Sequence, residues 1–143
     1  MHGNIVFKAE WNNFGELNSG LDEICSEYYC FYEDLTVEMS VGYTSSGKSE
    51  VKSIVLTKEQ FHELKSLINS EYILPHRDNA RGMCDGEEWN FTLYSETNEE
   101  IKCDHVSTYG IIELTNLANY LKSIADLFSF SSYGENSYTR FFR

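Results

Sequence analysis

The alternation between residues 35 and 43 is the feature that most limits what this chain can become. Leu35, Val37, Met39, Val41 and Tyr43 point one way, while Thr36, Glu38 and Ser40 point the other. A period of two puts all the apolar side chains on one face only if the backbone is extended. Thr44-Ser-Ser-Gly-Lys48 then reads as a turn, and Val51 to Leu56 as the returning partner strand. The chain therefore contains an antiparallel hairpin with one apolar face, and that face needs a second layer to cover it.

Further segments supply both layers. Ile5, Phe7, Ala9 and Trp11 alternate with Val6, Lys8 and Glu10, as in a half-buried strand. Trp89, Phe91 and Leu93 alternate with Glu88, Asn90 and Thr92; a turn at Thr97-Asn98 leads into a strand with Ile101, Cys103 and His105 on one side. Thr57-Lys-Glu-Gln60 has the spacing of a capping box, in which the threonine hydroxyl and glutamine amide satisfy exposed backbone N–H groups reciprocally. The helix behind it buries Phe61, Leu64, Leu67 and Ile68, and Ile112 to Phe128 carries a second apolar stripe through Leu114, Leu117, Leu121, Ile124 and Leu127. Ser19 is placed to cap a third helix, with Leu21, Ile24, Cys25 and Tyr28 on its apolar side and Asp22, Glu23 and Glu27 opposite. Residues 70–86 read as irregular, and the aromatic tail from Phe130 offers an edge strand through Tyr138, Phe141 and Phe142. The expected class is α+β: a mainly antiparallel sheet of about five to six strands packed with about three helices, residues 1–143 forming one domain.

The composition, 41% hydrophobic and 15% aromatic over 143 residues, fills one core. No apolar run approaches the roughly 18–20 residues of a membrane span. Met-His-Gly-Asn-Ile-Val-Phe-Lys has no basic segment ahead of a long apolar stretch, so no secretory signal is expected. The four cysteines are then expected to be thiols and the chain cytoplasmic.

Charge is spread unevenly. Met1 to Gly47 holds eight carboxylates and one base, Lys8; Asp85 to Asp104 holds seven carboxylates and one base, Lys102. The net charge is −12. Such a chain lacks the clustered Lys and Arg that displace phosphate counterions or hold an anionic membrane, which argues against nucleic acid and membrane as partners. Acidity also serves solubility, but two acid-rich stretches brought side by side would make a negative face suited to a basic protein.

Catalytic and metal patterns are thin. Cys84, Cys103 and His105, with His76, include metal-ligand types but lack a tight Cys-x-x-Cys knuckle. Cys84 beside Asp85 is a poor thiolate, because a neighbouring carboxylate raises a thiol pKa. Adjacent carboxylates such as Glu87/Glu88 stay solvated and ionised unless a cleft buries one. Thr44-Ser-Ser-Gly-Lys-Ser49 lacks the first glycine of a phosphate loop and sits in a hairpin. No catalytic residues, cofactor or metal are expected, and the chain is not read as an enzyme.

This small, acidic α+β profile, with Asp85-Gly-Glu-Glu-Trp89 turning into an alternating strand, resembles the immunity proteins of bacterial polymorphic-toxin and contact-dependent growth inhibition systems. The resemblance implies an antitoxin that binds and neutralises a cationic toxin domain, expected to be a nuclease, through an acidic, aromatic-containing surface. The expected contact set is Asp22, Glu23, Glu27, Tyr29, Tyr32, Glu33, Asp34, Asp85, Glu87, Glu88, Glu99, Glu100 and Asp104, on a monomer or weak dimer. Two other readings stay open. One is a small ligand- or metal-binding domain, or minor enzyme, using the His76–Asp85 loop with Cys103 and His105. The other is an adaptor whose acidity is incidental.

Overall fold

The computed structural model describes residues 3–13, 24–43, 49–80 and 87–128. They form an α+β domain of one antiparallel sheet covered on one face by helices. The strands are β1 (Ile5–Asn13), β2 (Ile24–Tyr32), β3 (Thr36–Tyr43), β4 (Ser49–Val55), β5 (Glu87–Tyr94) and β6 (Glu100–Val106); the helices are α1 (Lys58–Leu67), the single turn α2 (Ser70–Ile73) and α3 (Ile112–Ala125). The spatial order is β4-β3-β2-β1-β5-β6, every neighbour antiparallel. β1 to β4 form a meander. The chain then crosses the core face of the sheet through α1 and α2 to place β5 on the free side of β1.

Alternation sorts each strand onto two faces. Phe7, Ala9 and Trp11 of β1, Val37, Met39, Val41 and Tyr43 of β3, and Trp89, Phe91 and Leu93 of β5 all face the core. Leu64 of α1 and Leu114, Leu117, Tyr120, Leu121 and Ile124 of α3 close it from the other side. Fully burying side chains of this size is worth about 1.5–3 kcal/mol each, so this layer contact dominates the stability. Aromatic rings line the core face across and along its strands: Phe7 of β1 stacks on Phe91 of β5 at 5.8 Å, and Trp89 on Phe91 within β5 at 5.6 Å. Tyr120 meets Phe31 at 6.5 Å, and its hydroxyl donates to the Gln60 carbonyl at 2.7 Å, joining α3 to both sheet and α1.

The hairpin of β3 and β4, the capping box and the α3 stripe through Leu114, Leu117, Leu121 and Ile124 match the sequence reading, whereas Leu127 lies beyond the end of α3 and is exposed. Thr57 Oγ1 accepts from Gln60 N at 3.1 Å, and Gln60 Oε1 from Thr57 N at 2.8 Å. Leu35 does not join the strand; at φ +75° it closes the turn between β2 and β3. The region after residue 70 is more ordered than expected, with α2 followed by a 3-10 turn at Leu74–His76.

Two expectations are corrected. The segment from Ile24 to Tyr32 is a strand, not part of a helix. Between Ile24 and Ser26 the register against β3 slips, because Cys25 is an extra residue in β2. That bulge turns the inward spacing into Ile24 then Glu27, a three-residue step that imitates helical periodicity. The second correction concerns β6. Its register against β5 jumps from Phe91↔Cys103 to Trp89↔Val106. Asp104 and His105 together face Asn90, with His105 at φ +58°. Cys103 and Val106 point into the core while His105 is exposed on the opposite face, so Cys103 and His105 do not share a side. The tail strand expected at 138–142, the helix start at Ser19 and the turn at 44–48 lie outside the described residues.

Candidate functional site

The face of the sheet away from the helices is polar, and it is where the two acid-rich stretches meet. Lys8, Glu10 and Asn12 of β1 alternate with that strand's core residues and so lie on this face. Register extends each into a row. Glu10 lies between Tyr28 of β2 and Asn90 of β5; Lys8 lies between Cys30 and Thr92, with Glu38 and Lys102 one strand further out on either side. The lone bases of the two acidic stretches thus end up in one row.

Polar contacts hold these side chains in place. Asn90 Nδ2 donates to Glu10 Oε1 at 3.3 Å, while Asn90 Oδ1 accepts from the backbone N–H of His105 at 2.9 Å. His105 Nδ1 lies 3.2 Å from Glu88 Oε2. The β6 bulge therefore aims both Asp104 and His105 at the centre of the face. A shallow depression of about 310 Å³ opens there between Lys8, Glu10, Tyr28, Asn90, Asp104 and His105. Glu100 sits 3.9 Å from Lys8 Nζ and 4.0 Å from Lys102 Nζ, and accepts from Tyr94 Oη at 3.2 Å. Burial works to lower the Lys8 pKa, but Tyr28, Tyr94 and Cys30 around it outweigh that and hold it above its ordinary value. Tyr32 Oη donates to Glu38 Oε1 at 3.0 Å, and hydrogen bonding to Cys30, burial and Glu38 push the Tyr32 phenol well up.

The expected contact residues divide by face and by end of the sheet. Glu88 and Asp104 lie on the polar face with Glu100 at its margin, and Tyr32 is half-buried there. Glu33 and Asp34 occupy the exposed turn between β2 and β3; Glu99 lies in the turn between β5 and β6. Both turns are at the end where β1 begins, and Glu33, Ser95 and Asn98 line one depression of about 230 Å³. Asp34 Oδ1 accepts from Thr36 N at 3.0 Å, which fixes its turn. Glu87 is half-buried at the opposite end, paired with Asn13. Glu27 and Tyr29 are corrections: both are fully buried on the core face, with Tyr29 Oη donating to Glu27 Oε1 at 2.7 Å. The strand itself is the reason: Glu27 alternates with Tyr29 and Phe31 and lies in register with the core residues Trp11 and Val41. Asp22, Glu23, Asp85 and Cys84 lie outside the described residues.

Sequence reasoning left out Glu10, Glu38 and Tyr28. For the two carboxylates the signal was available, since each alternates with core residues that are plain in the sequence, Ala9 and Trp11 for Glu10, Val37 and Met39 for Glu38; Tyr28 lies in β2, whose pattern imitates a helix.

The remaining chemistry is muted. Among the described residues no group of three His, Cys, Asp or Glu side chains is placed to hold a metal ion, and Cys30 and Cys103 are thiols outside any disulfide. Burial pushes the Cys103 thiol up to about 11, and its S–H donates to the Ile73 carbonyl at 3.5 Å. Such a thiol is a poor nucleophile. No described helix is long and apolar enough to cross a membrane. No family model matches the chain, and no curated protein matches it.

Proposed function

We propose that this chain is an immunity protein that binds a cationic toxin domain, with the polar face of the sheet as its docking surface. The observation that carries the reading is the position of β1 between β2 and β5, which makes strands of the two acid-rich stretches immediate neighbours. Glu10, Glu88, Asp104 and Glu100 are spread across adjacent strands there, interleaved with Tyr28 and Tyr94. Carboxylates beside tyrosines suit Arg and Lys of a partner: the first accept charge-assisted hydrogen bonds and the second give area at low rotamer cost. Lys8 and Lys102 make the face mixed in charge, which favours a partner with matching acidic groups and rejects a uniformly basic surface.

Inhibition titration tests the proposal. The domain encoded immediately upstream should be basic, and its toxic activity should fall linearly to zero as this chain is added, reaching zero at about one equivalent, the behaviour of a tight stoichiometric inhibitor. Full activity of that domain in the presence of a tenfold excess, about 10:1, would reject the assignment.

A further inference from the structure

The two edges of the sheet are treated differently. On one side, Asp78 N donates to Asp104 O at 2.8 Å and Ala80 N to His105 O at 2.9 Å, so residues 77–80 cover part of β6. On the other, β4 pairs only with β3, and among the described residues no strand lies beyond it. Its outer row of backbone N–H and C=O groups is a template for another strand. Val51 and Val55 stand on the polar face of this edge, 67% and 71% exposed, although that face is otherwise polar. Glu50, Lys52 and Ile54 alternate with them on the other side.

The charges on β4 choose its occupant. An antiparallel strand on this edge from a second copy must keep side chains on matching faces, which leaves few registers. Centred on Val51, the pairing sets Val51 against Val51 and puts Glu50 of each copy opposite Lys52 of the other. Centred on Lys52, it drives two ammonium groups together. Centred on Ser53, it sets Val51 against Val55 but puts Lys52 opposite Ile54 and takes Glu50 out of the paired segment, leaving both charges without an opposite across the seam. All three registers are isologous and closed, but only the first sets the unlike charges of Glu50 and Lys52 opposite each other.

We propose that β4 is a self-association edge through which two copies join antiparallel about Val51, extending the sheet across the dimer. The inference does not depend on the immunity reading, because it uses a different part of the sheet. The seam is short, so the dimer is weak and concentration-dependent. Two chains of charge −12 also repel, so the seam is best measured at about 0.15 M salt, where the Debye length of about 8 Å confines electrostatics to groups near it.

Sedimentation equilibrium of the full chain, from about 10 μM to about 1 mM, reads the association under those conditions. The mass should climb above 16.6 kDa with concentration. Lys52→Glu should weaken the dimer about tenfold or more, because both cross-strand attractions become repulsions. Glu50→Lys should do the same, although it also loses the contact from Tyr43 Oη at 3.0 Å. The double variant, Glu50→Lys with Lys52→Glu, should restore association to within about twofold, which loss of folding could not mimic. A monomer at every concentration overturns the proposal, as does a dimer indifferent to Lys52→Glu. Amide protection over residues 49–55 that develops only with an added basic protein would give the edge to that protein's strand, and would overturn it too.

Discussion

Glu27 shows how strand alternation can carry a charge into the core. Its place among Glu23, Glu33 and Asp34 suggests a surface carboxylate, yet it is sealed in the core beside Trp11, its cross-strand neighbour, with a hydrogen bond from Tyr29. A buried carboxylate is tolerated only with such donors. Cys103 offers the cleaner measurement. Its pKa is raised from 9.0 to about 11 by burial, so the neutral thiol is the form the fold prefers. The associated stability is complete below pH 9 and is lost as pH rises through 11. Two pKa units correspond to about 2–3 kcal/mol. Urea unfolding from pH 8 to 11.5 should show wild type losing about that much more than Cys103→Ala; parallel curves would mean the thiol is not held neutral by burial.

The strands differ in how openly they announce themselves. β1, β3 and β5 are regular enough over their core-facing runs that alternation alone gives their faces: Phe7, Ala9 and Trp11; Val37, Met39 and Val41; Trp89, Phe91 and Leu93. β2 and β6 carry bulges, and there the reading failed. Cys25 converts an alternating pattern into one compatible with a helix, and the Asp104–His105 pair parts His105 from Cys103. A bulge adds one residue without any special residue type here, so local sequence cannot report it. Asn90, the residue facing the β6 bulge, holds it by accepting from the His105 N–H. Asn90→Ala should cost about 1 kcal/mol in urea unfolding and speed amide exchange at His105 selectively. Unchanged exchange at that amide would show that the bulge is set by the strand pairing alone.

The helical layer and the sheet divide the molecule's tasks. The core face is continuous and aromatic, which leaves the other face free to carry charge without a cost in packing. The chain's uneven acidity left open whether its two acid-rich stretches meet, and β1 lying between β2 and β5 makes their strands neighbours. What the sequence could not convey is the sorting of the acids: some to the polar face, some to the two turns where β1 begins, one into the core. The candidate surface is consequently narrower than the expected set and includes Glu10, Glu38 and Tyr28. Its two lysines temper the field without cancelling it, so long-range attraction of a basic partner persists at low ionic strength and fades as salt screens it.

If the proposed toxin partner is a basic domain encoded upstream, stopped-flow association with it is the direct measure of that field. Across about 0.02 to 0.3 M salt the rate constant should fall at least about tenfold. The combined substitution Glu10→Gln, Glu88→Gln and Glu100→Gln should lower the low-salt rate by about tenfold and flatten the salt dependence. A rate that ignores both salt and these three substitutions would contradict the docking face assigned to the sheet.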